Sequence, residues 1–321
     1  MPTPTTVPPA ARDAILAWYA EQGRPLAFRR TRDPYAILVS EAMAQQTQAS
    51  RAAEYWERFM EQFPTVEALA AATPATVLRA WQGLGYDRRA LALWRTARIV
   101  LDEHGGRIPS SVAELEALPG IGPYTARAVA ALAFGLPVGA VDVNVRRVLG
   151  RIVAGDALVL PAPELQRVAD DAVPSDRPGD WTHALMDVGA TLCRPRVPRC
   201  EACPARPWCR LASATTREAT AFHTRRRADG EAETLAPAAA AARSRVPAPR
   251  FTTTNRWLRG RILDRLRAAP DGEWVALDAA IGTHDLARVR GAANAMAADG
   301  ILELASAQES KATLRARLPL T

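Results

Sequence analysis

The sequence is almost free of lysine. Lysine and arginine together number 41 in its 321 residues, and Lys311 is the only lysine. Residues 1–310 therefore contain no side-chain amine that can form a Schiff base. The chain also lacks any uninterrupted run of about 18 apolar residues, which excludes a membrane-spanning helix. Its first ten residues, MPTPTTVPPA, lack the basic start and apolar block of a secretory signal, so we expect a cytoplasmic location.

The balance of charge favours a polyanionic partner. The formal net charge is +7 and the isoelectric point is about 9.8, as is common for proteins that bind nucleic acid. Solubility alone is the simpler explanation, and charge by itself does not exclude it. Hydrophobic residues make up 48% and charged residues 23%, which is ordinary for a globular chain of two domains and a small third.

Helical periodicity covers most of the chain. Strand-like alternation is nearly absent up to residue 216, so the body is predicted to be all-α. The patterns predict a helix over Ala11–Gly23, then one long or two joined helices that end at Pro64. Three short helices with a break at GLGY follow. Further helices flank the stretch LPGIGP, and another begins near Asp142.

The C-terminal third has a different composition. Residues 217–249 are rich in alanine, proline and charge, which is typical of a linker. Residues 250–321 predict three helical segments and then a strand, ILEL, which pairs with ATLRARLPL as a hairpin. This pattern resembles a winged helix. Such a domain binds DNA in many proteins, and docking to a protein or a purely structural role is an equal alternative.

The four cysteines of the chain lie within seventeen positions, with the spacing C-x6-C-x2-C-x5-C. Because disulfides are rare in the cytoplasm, metal ligation is the leading interpretation. Zinc sites usually contain two C-x2-C pairs, and this chain has one. Four thiolates in one tight loop suit an iron–sulfur cubane, in which each sulfur binds its own iron. The residues concerned are Cys193, Cys200, Cys203 and Cys209.

The stretch LPGIGPYTA predicts a hairpin between two helices. Gly120 and Gly122 have no Cβ and let the backbone approach another surface closely. Pro123 is well suited to open the second helix, whose first-turn N–H groups then form an anion site. On DNA such a site binds the phosphate backbone without reading sequence. The pattern alone is weak, because plain helical corners share it.

Five ordered motifs together resemble one known group of proteins. The order SEAMAQQTQ, GLGY, LPGIGPYTA, VDVNVRRV and the four-cysteine pattern is similar to the helix–hairpin–helix DNA glycosylases of the endonuclease III superfamily. Within it, residues 10–216 resemble the A/G-specific adenine DNA glycosylase (MutY) family. The resemblance implies two helical lobes that hold DNA between them, with a 4Fe–4S cluster as cofactor. Together with the composition of the C-terminal third, it predicts an N-terminal helix (1–34) packed on the cluster lobe, a six-helix lobe (35–145), the cluster lobe (146–216), the linker (217–249) and the winged-helix-like domain (250–321).

Breaking an N-glycosidic bond requires a proton for the leaving base and negative charge near the sugar cation. Two carboxylates in unlike environments can divide these tasks. The resemblance makes Glu41 the general acid that protonates adenine N7 and later activates water. Its apolar neighbours predict burial and a raised pKa. The resemblance makes Asp142 the carboxylate that stabilises or attacks the sugar cation, and its place before a helix also suits an N-cap.

Two further residues complete the implied catalytic set. Asn144 would position the attacking water or the sugar. Bifunctional relatives have a catalytic lysine at the position of Tyr124, so this chain is predicted to be monofunctional and to leave an abasic site. Tyrosine occurs at this position in adenine-removing and thymine-removing members alike.

Several residues are candidates for DNA contact. Gln45, one helical turn after Glu41 on the same face, would fill the gap left by a flipped adenine together with Leu84 and Tyr86. Ordinary packing is the alternative for these three, most seriously for Leu84. Three arginines between the cysteines would contact phosphates, or simply form a solvated basic loop: Arg194, Arg196 and Arg199.

The chain departs from the family pattern at four places. His183 stands where a polar amide or carboxyl usually reads adenine, Phe28 where tryptophan is typical, and Asp87 where a second tyrosine is common. The winged-helix-like end replaces the Nudix-like domain with which many members read 8-oxoguanine, so dependence on that base is open.

The expected function is removal of adenine opposite 8-oxoguanine or guanine by a monomer. Its partner would be double-stranded DNA with a mismatched or damaged pair, in the nucleoid. A thymine or uracil mismatch glycosylase and a non-catalytic lesion-binding protein are the alternatives.

Overall fold

The computed structural model describes residues 6–155, 160–214, 250–306 and 313–321. These residues form two compact units. The first contains residues 6–41 and the described residues from 108 to 214, and the second contains residues 42–107 and the described residues from 250 to 321. The predicted lobe 35–145 contributes to both units. The predicted linker lies outside the described residues.

The body is helical, as predicted. Among the described residues, no strand occurs before Val275, and no helix has the length and apolar character needed to cross a membrane. The long segment before Pro64 contains two helices. In chain order the α-helices are α1 (Pro9–Gln22), α2 (Pro34–Ala44), α3 (Ala49–Gln62), α4 (Val66–Ala71), α5 (Pro74–Ala80), α6 (Arg88–His104), α7 (Val112–Ala117), α8 (Pro123–Phe134), α9 (Val143–Ala154), α10 (Ala162–Asp171), α11 (Pro178–Asp187), α12 (Asn255–Ala268) and α13 (Leu286–Ala298).

The first unit has one continuous apolar core. Ile15 of α1, Leu149 of α9 and Trp181 of α11 are all buried in it, and Cys209 packs at its edge. The periodic apolar face of each helix supplies these side chains. This core therefore joins the N-terminal helix, the helix that follows Asp142 and the cysteine segment into one body.

In the second unit, Phe59 and Trp81 form the centre of an aromatic cluster, with their rings edge to face at 6.0 Å. The C-terminal part adds three short strands: β1 (Val275–Ala276), β2 (Glu303–Leu304) and β3 (Arg315–Arg317). They form an antiparallel sheet in the order β1-β3-β2.

The predicted hairpin of ILEL with ATLRARLPL is confirmed, since Leu304 pairs with Ala316. The prediction of three helical segments is wrong for the described residues, which contain two α-helices after residue 254. Between these helices, Val275 pairs with Ala316. A cross-strand partner some forty positions away thus decides the conformation of a segment too short to form a stable helix by itself.

Candidate active site

Glu41 is a buried carboxyl group in an apolar helix. It lies in α2 and is 6% exposed, with Leu38 and Met43 buried on either side along the chain. Burial raises its pKa to about 7, against a hydrogen bond from Tyr124 that lowers it; the charge of Asp142 raises it further. The predicted direction is confirmed. Glu41 can therefore hold a proton near neutral pH and release it to a weakly basic acceptor.

Asp142 caps α9, as predicted. Its Oδ1 accepts hydrogen bonds from the backbone N–H groups of Asn144 at 2.8 Å and Val145 at 2.7 Å. Its Oδ2 accepts a bond of 2.9 Å from the Asn144 side-chain amide. Both oxygens of the carboxyl therefore have hydrogen-bond donors at fixed positions. The fold thus fixes both oxygens of Asp142 close enough to Glu41 for the charge of Asp142 to raise the pKa of Glu41.

Tyr124 is a neutral phenol at this site. It follows Pro123 in the first turn of α8, forms a hydrogen bond with Glu41, and its hydroxyl lies 3.8 Å from the Met186 sulfur. Burial and the nearby carboxylates, Glu41 first, raise its pKa well above the usual value. The phenol therefore positions Glu41 and is not ionised as a nucleophile would be.

The hairpin before Tyr124 has the predicted backbone. Gly120 has a φ of +76°, in the left-handed region that favours glycine. Gly122 is the N-cap of α8, and a Cβ built on it would have no neighbour within 4 Å. Both glycines are exposed, so another surface can approach this turn closely. That this surface is DNA stays a prediction.

Arg147 connects the N-cap of α9 to the cysteine segment. Its Nη2 donates to Asn144 Oδ1 and to the Gly189 carbonyl, both at 2.7 Å, and its Nε donates to the Cys193 carbonyl at 2.6 Å. Gly189 must be glycine, because a Cβ there would lie 2.6 Å from the Asn144 Cβ. Sequence reasoning singled out Asn144 but missed Arg147, because two of these three partners, Gly189 and Cys193, lie more than forty positions away.

The four cysteines line one cavity. Apolar side chains, among them Leu192 and Leu211, and the arginines Arg151, Arg199 and Arg206 complete its wall. All four cysteines are free of disulfides. Burial raises the pKa of Cys203 to about 11, and the other three sulfurs add to the increase. A bound cation would favour the thiolate forms of these crowded cysteines.

Two departures from the family pattern meet in one place. Phe28 and His183 line the same cavity of about 290 Å³, together with Arg29 and Ser40. Burial, reinforced by the charge of Arg29, lowers the pKa of His183 to about 3. The imidazole is therefore neutral near pH 7 and can offer one donor and one acceptor.

Asp187 is a second functional candidate that sequence reasoning missed. Arg29 donates to both of its oxygens at 2.7 and 2.8 Å, and Arg24 adds a bond of 2.6 Å. Asp187 is fully buried; burial favours the neutral form, yet the bonds and charge of the arginines hold its pKa below the usual value. The pair fixes Arg29, and the charge of Arg29 acts to lower the pKa of both Glu41 and His183.

In the second unit, one guanidinium organises the loop before α3 and the loop before α6. Arg89 donates to the carbonyls of Ala42 and Gly85 at 2.9 and 3.0 Å and to that of Gln45. Gln45 lies in a turn after α2 ends at Ala44, so the expected helical position one turn after Glu41 is wrong. Arg89 accounts for this, because it binds carbonyls at the end of the helix.

The two remaining candidates in the second unit differ in exposure. Leu84 is 5% exposed and Tyr86 is 46% exposed. Tyr86 also has a φ of +51°, a conformation that is unusual for a bulky residue. Packing therefore accounts for Leu84 in this structure, whereas Tyr86 is available to a partner.

The fold and the site define a base-excision DNA repair protein: residues 39–164 match the HhH-GPD superfamily of base excision DNA repair proteins. The chain is 39% identical over 292 residues to the adenine DNA glycosylase of Mycolicibacterium smegmatis, with 90% of this chain and 91% of the relative covered. This chain belongs to the adenine DNA glycosylase family.

Other comparisons agree in part. The human adenine DNA glycosylase is 41% identical over 213 residues, which span 63% of this chain and 39% of the human protein. A solved thermostable thymine-DNA glycosylase has a TM-score of 0.60 and 31% identity, over 63% of this chain and 95% of its own. A non-covalent endonuclease III–DNA complex, with a TM-score of 0.56, 23% identity and coverage of 64% and 95%, supports the fold alone.

Proposed function

We propose that this protein is a monofunctional DNA glycosylase that releases adenine opposite 8-oxoguanine or guanine in double-stranded DNA. The observation that carries the proposal is the pair of unlike carboxyl groups: Glu41, buried with its pKa raised to about 7, and Asp142, held by three hydrogen-bond donors. Family membership supports adenine as the base.

The chemistry follows from these two environments. Glu41 gives its proton to N7 of adenine, and the electrons of the C1′–N9 bond leave with the base. Asp142, whose oxygens are already fixed by hydrogen bonds, stabilises the sugar cation that remains. The Glu41 carboxylate then takes a proton from water as the oxygen adds to C1′. The products are free adenine and an abasic site, and the acid is restored.

The strand is expected to remain intact after base release. Residues 1–310 contain no lysine, and Lys311 lies outside the described residues. Tyr124, at the implied lysine position, is a neutral phenol. Borohydride added during turnover should therefore trap no covalent protein–DNA adduct. A trapped species would contradict the assignment.

We propose further that the four cysteines hold a 4Fe–4S cluster. The donor set is all thiol, and the four sulfurs share one cavity. In a cubane each of four sulfurs holds a separate iron, which suits four cysteines around one cavity. When bound, the cluster would fix the loop that carries Arg194, Arg196 and Arg199, all exposed.

The purified protein should absorb broadly near 400 nm (about that wavelength for such clusters) and contain iron and sulfide. Colourless protein with one zinc ion would refute the cluster.

We assign backbone contacts to the hairpin at Gly120 and Gly122 and to the three loop arginines, and duplex insertion to Gln45 and Tyr86, with Leu84 supporting them. We also propose that the protein acts as a monomer and is associated with the nucleoid, where its DNA substrate is found.

A thymine or uracil mismatch glycosylase is the second candidate, because a thymine-DNA glycosylase is among the similar solved structures. Single-turnover base release from duplexes with A opposite 8-oxoguanine, A opposite G, T opposite G and U opposite G separates the two. We expect adenine release from the first two duplexes. Release of thymine or uracil instead would establish the second candidate, and no release from any duplex would favour a lesion-binding protein.

A further inference from the structure

Within the second unit, a largely buried ion pair joins the C-terminal residues to residues 42–107. Arg267 of α12 lies 2.6 Å from Asp87 through its Nη2 and donates from Nε to the Leu78 carbonyl at 3.1 Å. The two side chains are 7% and 16% exposed. Asp87 is the residue that departs from the family's second tyrosine, and this pair gives the departure a structural reason.

Additional contacts extend this attachment. Arg79 of α5 donates to the Ala269 carbonyl at 2.9 Å and the Arg267 carbonyl at 3.2 Å, and it also pairs with Asp271. The backbone N–H of Ala75 donates to the Pro319 carbonyl at 2.9 Å. Backbone and charged groups on both sides are thus satisfied across the contact, as expected of a fixed attachment.

The same attachment places Arg256 beside Tyr86. The Arg256 guanidinium lies 4.8 Å from the centre of the Tyr86 ring, and that of Arg89 lies 5.6 Å from it. A Cβ built on Gly85 would lie 3.5 Å from the Arg256 Nη2. Both Arg256 and Tyr86 are exposed, so a ligand can reach the cation and the ring together.

The charges around Tyr86 favour an anion. Burial lowers the pKa of Arg89, and the nearby charge of Arg256 lowers it further. Within the described part of the chain, the Arg256 side chain makes neither a hydrogen bond nor an ion pair, and its contact is with the ring. Its guanidinium therefore keeps its donors for a phosphate, which would also reduce the repulsion between the two arginines.

We propose that Arg256 positions the Tyr86 ring and contacts the phosphate backbone of the DNA strand that Tyr86 meets, so that the C-terminal domain forms part of the DNA-binding surface. The proposal rests on the proposed function, because it takes DNA as the partner of Tyr86. Of the roles that the sequence leaves open for this domain, the proposal favours DNA binding over docking to a protein or a purely structural role.

The test compares Arg256→Ala with Arg265→Ala, which removes the same charge from an exposed position of the same helix. Binding is measured by fluorescence anisotropy at several salt concentrations. The probe is a duplex with non-cleavable 2′-fluoro-2′-deoxyadenosine opposite 8-oxoguanine. We expect Arg256→Ala to weaken binding about ten-fold, the loss expected when one hydrogen bond between charged groups is removed. The slope of log affinity against log salt should fall by about 0.9 for one lost phosphate contact.

A double-mutant cycle with Tyr86→Ala separates positioning from simple charge. The effect of Arg256→Ala should be smaller when Tyr86 is absent, because the residues act together. Binding by Arg256→Ala equal to that by Arg265→Ala, or fully additive effects with Tyr86→Ala, would overturn the proposal. Adenine release by the unmodified protein is measured in parallel. Its absence would refute the proposed function, whereas release with unchanged binding by Arg256→Ala would refute only the role of Arg256.

Discussion

Replacing Glu41 with glutamine should have opposite effects on activity and on stability. Glutamine cannot donate the catalytic proton, so we expect base release to be lost. Its carbonyl can still accept the hydrogen bond from Tyr124, and the shape of the side chain is nearly unchanged. The stability effect depends on pH, because the native protein raises the pKa of Glu41 from 4.5 to about 7.

The sign follows from proton binding. Between pH 4.5 and 7 the native state holds a proton on Glu41 that the unfolded chain has released. Stability therefore falls as pH rises through this window, and the full penalty, about 3 kcal/mol, is present above the native pKa. Glutamine does not titrate. The free energy of unfolding of the variant, measured relative to that of the parent protein, should thus rise by about 2 kcal/mol from pH 5.5 to pH 8.5.

Urea unfolding of both proteins at the two pH values measures this gain. Any constant effect of the substitution cancels, since only the change of the difference with pH is used. Glu116→Gln is a matched control, because Glu116 is exposed; its difference from the parent should not change with pH. If the difference in unfolding free energy between Glu41→Gln and the parent is the same at both pH values, Glu41 does not hold a proton in the native state as argued.

Other substitutions test single contacts. Gly189→Ala should cost about 1–3 kcal/mol in urea unfolding, because its Cβ would lie 2.6 Å from that of Asn144, and it should slow base release; Gly291→Ala, with open space around it, is the control. Arg147→Lys keeps the charge but cannot make all three short bonds, so we expect slower single-turnover release with substrate binding unchanged; an unaltered rate would contradict the link to Asn144. Asp87→Ala removes the nearer carboxylate of Arg267, whose other ion pair is with Asp264 at 3.7 Å, and should destabilise the protein by up to about 3 kcal/mol, whereas exposed Asp278→Ala should have little effect on the unfolding midpoint.

Local signals in the sequence predicted the parts of the site that depend on near neighbours. Asp142 precedes a periodic apolar segment, and its cap bonds reach only two and three residues along the chain. Gly120 and Pro123 likewise act within one turn. The burial of Glu41 followed from its apolar neighbours in the same helix.

Contacts between distant positions were not predictable in this way. Arg29 and Asp187 are 158 positions apart, and nothing in either local pattern pairs them. The position of Gln45 was wrong because Arg89, from another helix, binds the carbonyls at the end of α2. The pair of Asp87 with Arg267 spans 180 positions, so the sequence showed a departure at Asp87 without its reason.

The pH dependence of single-turnover adenine release tests the central claim most directly, namely that Glu41 donates the proton to the leaving base. The assay uses excess protein and a duplex with A opposite 8-oxoguanine, from pH 5.5 to pH 9. Because only protonated Glu41 can act as the acid and its pKa is about 7, the rate should fall about tenfold per pH unit above that value. A rate that stays constant up to pH 9 would contradict the account.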